Sequence, residues 1–496
     1  METSIYSNST IRRGTPESVG ISPLHIARYL QRLREMEYDL HSLQICRNDQ
    51  VVFAAAASPY TLESPHRLLS AAKAIIGAAV LFAVDEGALS LDDPVVKYFA
   101  DEVPEQPDER MKNMTVYHLL TMQTGQDTDE AFLHFLEHPD EDLCRSFFHT
   151  AMTCDPGEHF FYNNSVPHLL FTLTERATGK EFASYVREKL GGPLGMEITA
   201  QYNSRHIYDP VTTVVTANGF LKLALWFLKQ GEWNHRQLID PALIRMACAQ
   251  QVWTGNEKPG YQNGAGYCMQ LWRNAFGGCR MDGGGGQIAL ILPEADMAVT
   301  IMGNESRGDQ AIQLFYEEIY SKMSGKPLRE QAAEREALEE ETRRMSRAPR
   351  GVLAHGKAER QLAEKEWQFA PNQWGLMGMQ FEFQEKETWV QVRTEQGVNS
   401  YQIGLDGQMP ESSIPFLLEP DLSIQNRIYG PDPRKCHLSG GWSDERTFVI
   451  VSKSTASMGE YQFRCVAGAD GLELYLPNGI SAGMKPEAGW TCLHAV

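Results

Sequence analysis

Apolar residues recur at helical spacing through residues 23–35 (PLHIARYLQRLRE), and the same period returns in residues 308–323 (GDQAIQLFYEEIYSKM). Residues 43–57 (LQICRNDQVVFAAAA) alternate around Asn48-Asp49, which predicts a hairpin. Residues 287–303 (QIALILPEADMAVTIMG) set two apolar runs on either side of Pro293-Glu294-Ala295-Asp296 and predict a second hairpin. Ala74 to Val84 is a continuous apolar run that reads as a buried helix. Strand signals thus lie at both ends of a long helical middle. The pattern predicts an α+β domain: one antiparallel sheet built from distant segments, flanked by helices, with a helical subdomain inserted.

The pattern changes near residue 325. Residues 328–348 are dense in Glu, Arg and Ala and offer little to bury on any face, which predicts a solvated helix or linker. From Trp367 onward short β-like runs follow one another: MQFEFQ, TWVQVRT, SYQIGL, TFVIVSK, EYQFRCV and LELYL, separated by Gly, Asp and Asn turns. Regular short strands predict a small antiparallel barrel or sandwich. The expected division is a first domain over 1–325, a charged helical linker over 326–365 and a β-domain over 366–496. A chain of 496 residues exceeds what one core usually supports.

Charge and composition narrow the function. A net charge of −19 argues against a nucleic-acid partner, which needs clustered Lys and Arg, and against an anionic membrane surface. No apolar run reaches the roughly 20 residues that span a bilayer. The first twenty residues lack the apolar core of an export signal, and the nine cysteines are scattered without C-x-x-C pairs. These features point to reduced thiols and a cytoplasmic location.

One short motif carries chemistry. Ser70-Ala71-Ala72-Lys73 is the only S-x-x-K in the chain, and it opens the apolar run. Residues three apart share a helix face, so the Lys73 amine would stand beside the Ser70 hydroxyl. An amine in apolar surroundings favours its neutral form, and a neutral amine can take the proton of a serine nucleophile. The plain alternative is a buried helix with a lysine reaching to solvent.

The run LLSAAKAIIGAAVLFAVDEGALSLDDPVVKYFADEVPE resembles the nucleophile helix of the serine β-lactamase and penicillin-binding-protein superfamily. It is most similar to the class C-like branch that includes esterases and D-amino-acid amidases. Thr115–Gly125 (TVYHLLTMQTG), Pro156–Ser165 (PGEHFFYNNS) and Gly231–Ile239 (GEWNHRQLI) resemble further family segments in the same order. The resemblance covers roughly residues 15–320. Asn372–Leu376 and Gly404–Gly407 more weakly resemble a C-terminal β-domain that some members carry.

The resemblance implies a tyrosine from a Y-x-N motif as proton carrier. Tyr6, Tyr162 and Tyr261 all satisfy that motif, and only Tyr162 has the PG-x-x-F lead-in and the middle position. Asn164 would then orient Lys73 and the substrate's amide or ester group. A third element, K-T-G or H-x-G in the family, is expected on the strand beside the nucleophile. Counting back from Pro293 aligns Gly284-Gly285-Gly286 with it, and Asp282-Gly283-Gly284 is the other register. In the first alignment the Gln287 N–H joins that of Ser70 as an oxyanion hole. No Lys or His fills the first position in either register. The absent cation argues against β-lactams and D-Ala-D-Ala peptides and for a neutral ester or amide.

Other readings of these residues are weaker. The glycines lack the Gly-Lys-Ser/Thr of a phosphate loop. His134 and His138, with Cys144 and His149 nearby, have the spacing of metal ligands, yet Phe and Leu interleave them and Pro139 ends the helix; a partly exposed helix is the better reading. Trp253, Tyr267 and Trp272 could line an apolar pocket or simply fill the core. The sequence therefore predicts a serine hydrolase that works through an acyl-enzyme on a small ester, amide or short peptide, with no metal or organic cofactor. An acyltransferase using the same Ser-Lys-Tyr site and a non-catalytic ligand sensor are the rivals. The substrate stays open, and a homo-oligomer is compatible with everything above.

Overall fold

The computed structural model describes residues 11–138, 140–200, 212–255, 265–345, 353–405, 407–412, 416, 436–454, 460–469, 471–477 and 490–495. Tyr6, Tyr261 and Pro139 lie outside them. Among the described residues the first domain is built on a seven-stranded sheet. Its strands are β1 (Arg12–Arg13), β2 (Leu40–Arg47) and β3 (Gln50–Ala56) from the start of the chain. Two short pairs stand apart from it: β4 (Pro65–Arg67) with β5 (Val214–Thr216), and β6 (Glu232–Trp233) with β7 (Arg236–Gln237). The sheet is completed by β8 (Trp272–Arg273), β9 (Cys279–Gly283), β10 (Gln287–Leu292) and β11 (Met297–Gly303).

The order across the sheet is β1-β3-β2-β11-β10-β9-β8. Both expected hairpins form. Asn48 and Asp49 take the left-handed backbone that a two-residue turn needs, with φ of 51° and 58°. The β10–β11 hairpin pairs Ile288 with Ile301 through Leu292 with Met297. The contact between β11 and β2 joins the two ends of the domain, from Met297↔Arg47 to Ile301↔Leu43. The pairings are antiparallel except that the two residues of β1 run parallel to β3.

Alternation along the strands divides the core in two. Leu43, Ile45, Leu290 and Val299 face α1 (Pro23–Glu35) and the helix Gly308–Glu318. Cys46, Met281, Ala289 and Ala298 face α2 (Lys73–Asp85) and the inserted helices, including Val166–Thr178 and Ala217–Leu228. The apolar content of α2 on all sides fits its position inside that cluster, where Ala74 to Ala83 are all buried.

The charged segment forms a helix, Ala332–Met345, in which Glu341 alone is buried, and one side of it is docked. It lies along α1. Arg34 pairs with Glu341 at 3.1 Å, Ser22 donates to Glu334 at 2.5 Å, and Arg335 reaches the buried Glu17 at 2.9 Å. Its composition reads as solvated because its partners sit roughly three hundred positions earlier.

The second domain is a ten-stranded sheet that runs from Trp367–Gln368 to Trp490–Ala495. Phe369 bridges Ala495, so the first and last strands meet and nearly close the sheet into a barrel. Trp442, Phe448, Phe381 and Leu438 fill its interior. The strand Cys436–Trp442 is not among the expected runs, because its sequence carries no clear alternation.

Candidate active site

Ser70 sits where a strand gives way to a helix. β4 is held by β5, and the Leu68 N–H donates to Thr213 O at 2.9 Å. Leu69 then adopts φ of +47°, a left-handed conformation that costs a residue with a side chain on the order of 1–3 kcal/mol. This sharp step opens a short 3-10 turn, Leu69–Ala72, which runs directly into α2. Lys73 is the first residue of α2 and is 4% exposed.

The turn brings the expected residues together. Lys73 Nζ donates to Ser70 Oγ at 2.9 Å and to Asn164 Oδ1 at 3.1 Å. It also stands 4.8 Å from the centroid of the Tyr162 ring. Tyr162 in turn stacks on Trp272 with centroids 5.4 Å apart and meets Tyr267 edge-on at 6.3 Å. Phe160 closes the group, 5.1 Å from Tyr267 and 5.7 Å from Trp272. Tyr267 is buried, and burial first, then the neighbouring Tyr162, holds its hydroxyl well above the usual titration range. It is an uncharged residue of the core. Trp253 stands largely exposed, outside these ring contacts.

The glycine-rich element is arranged differently from the counted alignment. Gly284, Gly285 and Gly286 are not strand residues. They form the turn between β9 and β10, where Gly285 and Gly286 take φ of +71° and +77°. The strand residue against the Ser70 turn is Gly283. A Cβ there would stand 2.1 Å from Leu68 O and 2.9 Å from Ala71 N, so only glycine permits this approach. Gln287 opens β10, between β9 and β11, and is fully buried. Its side-chain amide donates to Gly285 O at 2.8 Å and Gly303 O at 2.6 Å. Counting back from Pro293 assigns strand geometry to three residues that the chain reversal consumes. The Asp282-Gly283-Gly284 register is the one that sets a glycine on the Ser70 turn. Asp282 itself pairs with the buried Arg280 at 2.8 Å.

Two features of the cluster escape the sequence reading. One is the strained Leu69. The other is Asp129, whose carboxylate accepts from the Asn164 backbone N–H at 2.8 Å and from Asn164 Nδ2 at 2.7 Å. Its only mark in the sequence is the acidic run Asp127-Thr128-Asp129-Glu130 shortly after Thr124-Gly125. Elsewhere, His134 pairs with Glu141 at 2.8 Å and lies tilted against the His138 ring, while Cys144 is buried against Thr172. Among the described residues no helix is long and apolar enough to cross a membrane.

A strained serine turn ahead of a buried helix, set against the glycine end of an antiparallel sheet, is the architecture of the β-lactamase and transpeptidase fold. The β-lactamase family model matches residues 37–317, more than half of the chain, and the protein belongs to that family. Esterase EstB of Burkholderia gladioli is 29% identical over 157 residues, 28% of this chain and 39% of the esterase. Monacolin J acid methylbutanoyltransferase of Aspergillus terreus is 27% identical over 160 residues, 28% of this chain and 38% of the transferase. The chain thus spans well under half the length of these curated relatives. Among solved structures, the octameric penicillin-binding protein homologue of Pyrococcus abyssi aligns over 94% of this chain and 98% of its own, at 16% identity and a TM-score of 0.46. The family's relatives and structural neighbours include hydrolases, esterases and acyltransferases.

Proposed function

We propose that the protein is a serine hydrolase that acts through an acyl-enzyme on a neutral ester or amide of a small molecule or short peptide. The observation that carries this reading is the 2.9 Å contact between Lys73 Nζ and Ser70 Oγ, on a turn that only close packing can hold. Lys73 takes the Ser70 proton as the oxygen attacks the substrate carbonyl. The oxyanion is held by the Ser70 N–H and by an N–H at the Gly283–Gly284 end of β9, which replaces the Gln287 donor expected from sequence. Tyr162 relays that proton from Lys73 to the leaving group, and water, giving its proton back along the same path, then releases the acyl group and restores Ser70. The lack of a cation in Asp282-Gly283-Gly284 favours an uncharged substrate, and the wall of partly buried rings at Phe160, Tyr162 and Trp272 favours an apolar one.

The same wall supports acyl transfer as a second reading. An alcohol or amine seated on it would compete with water for the acyl-enzyme, and one relative is named as a methylbutanoyltransferase. The cysteines of the described residues stand as thiols rather than disulfides, which supports a reducing, cytoplasmic setting.

The test is hydrolysis of p-nitrophenyl acetate and butyrate by the wild type and by Ser70→Ala. Loss of a nucleophile in such a unit costs on the order of 10⁶ in turnover. The folded variant is expected to be silent. Equal activity of the two proteins rejects Ser70 as nucleophile. Adding alcohols or amines and analysing the products separates hydrolysis from transfer.

A further inference from the structure

Asp129 breaks a local rule. It occupies the N-cap position of the helix Glu130–Glu137, where a carboxylate ordinarily accepts from the first unpaired N–H groups. Its side chain makes no capping bond. The next helix shows the ordinary arrangement: Asp142 caps Leu143–His149 by accepting from Arg145 N–H at 3.1 Å. Both Asp129 oxygens turn away from their own helix to Asn164, 35 positions later. A forgone cap costs the helix stability. Natural chains accept such costs at functional sites.

The consequence lies at the other end of the Asn164 side chain. A free amide can rotate to exchange its oxygen and nitrogen ends. An ionised carboxylate only accepts, so it fixes the nitrogen end toward itself. The oxygen end is thereby fixed toward Lys73 Nζ, where it accepts at 3.1 Å. The reversed amide would point donors at a donor. Ser70, Lys73, Asn164 and Asp129 thus form one ordered chain of hydrogen bonds.

We propose that Asp129 is a positioning residue of the active site: it locks the Asn164 amide so that Lys73 is held against Ser70. This inference rests on the hydrolase reading above. It also revises the role expected of Asn164. One of its two amide N–H groups is committed to Asp129, so Asn164 serves Lys73 first and has a single N–H left for substrate.

Asp129 is not needed to join the two loops it connects. Phe161 N–H donates to Met122 O at 3.0 Å, Gly157 N–H to Gln123 O at 2.9 Å, and Asn163 Nδ2 to Thr128 O at 3.2 Å. Its replacement should therefore leave the fold in place and disturb the chemistry.

The experiment compares wild type, Ser70→Ala, Asp129→Asn and Asp129→Ala in p-nitrophenyl butyrate hydrolysis. Thermal unfolding is recorded for each protein. Labelling of Ser70 by a fluorophosphonate, followed by intact mass, reads nucleophile activation without turnover. Asp129→Asn and Asp129→Ala are expected to lose about 10²-fold in kcat with KM little changed, because misplaced catalytic groups cost that much. Labelling should slow in parallel, at an unfolding midpoint near that of wild type. Wild-type kcat and labelling rate in both Asp129 variants would overturn the proposal. So would a loss that only tracks a fall in folded fraction. If Ser70→Ala equals wild type, or if wild-type Ser70 takes no label, the hydrolase reading itself fails, and that result is distinct from the first.

Discussion

At the scale of single residues, the site depends on one missing side chain. Gly283 touches the nucleophile turn through backbone alone, and a methyl group would collide with Leu68 O at 2.1 Å. Neither backbone can yield without moving Ser70. Gly284 is next to it, and its added Cβ would meet only Leu69 Cδ1, at 3.1 Å, the end of a rotatable side chain. Gly283→Ala is therefore expected to lower stability by about 1–3 kcal/mol, the usual cost of forcing an atom into a packed site. It should also abolish ester turnover. Gly284→Ala should be near neutral in urea unfolding and keep most activity. If the two variants behave alike, close approach at Gly283 is not what shapes the turn.

At the scale of elements, β4 leads the chain into the Ser70 turn and carries the buried His66. His66 Nδ1 lies 3.0 Å from Arg67 O, which can only accept, so Nδ1 carries the proton. Burial, followed by the charge of His41, pushes His66 down to about 3 from its ordinary 6.5. The unfolded chain binds a proton here below pH 6.5 and the native chain does not. This contribution to stability is complete above about pH 6.5 and is lost as the pH falls toward 3. Urea midpoints of the wild type should decline across that window, and His66→Gln should flatten the decline. An unchanged slope in the variant would assign the acid sensitivity elsewhere. The elements differ in how legible they are. Ser70 and Lys73 can be read because their contact is local, three positions apart on one face. The hairpins at Asn48-Asp49 and Pro293–Asp296 can be read because turn residues interrupt clear alternation. Counting misplaces Gly283 because the length of a glycine turn has no hydrophobic signature. Asp129 is invisible because its partner is set by tertiary packing, and a carboxylate before a helix reads as an ordinary cap.

At the scale of the whole molecule, the barrel reaches the first domain at a largely buried cation. Lys453, on the barrel strand Thr447–Ser454, pairs with Asp39 at 3.2 Å, and its side chain is 14% exposed. Asp39 also faces His41 Nε2 at 3.3 Å, and His41 Nδ1 lies 2.8 Å from His66 Nε2. His66 Nε2 must accept, because its other nitrogen holds the proton. His41 Nδ1 therefore donates to it, and His41 Nε2 faces the Asp39 carboxylate. The chain Lys453–Asp39–His41–His66 runs from the barrel to the strand that positions Ser70. Burial pushes the Asp39 carboxyl up, but Lys453 and His41 more than offset this and hold it below the ordinary carboxylate range. A depressed carboxyl stabilises the fold above its ordinary value and loses that contribution as pH falls through the native one. Lys453→Met removes the largest charge that holds Asp39 down, so acid unfolding should begin at a higher pH than in the wild type. A chain ending at Met345 keeps Arg335 on Glu17 and Glu341 on Arg34 but lacks Lys453. It should fold, with an acid profile like that of Lys453→Met. A chain ending at 330 also loses the helix along α1 and leaves Glu17 buried without Arg335, so its urea midpoint should be the lowest of the set. Equal midpoints for the three shortened or substituted chains and the wild type would mean that the barrel and the charged helix are independent of the catalytic domain.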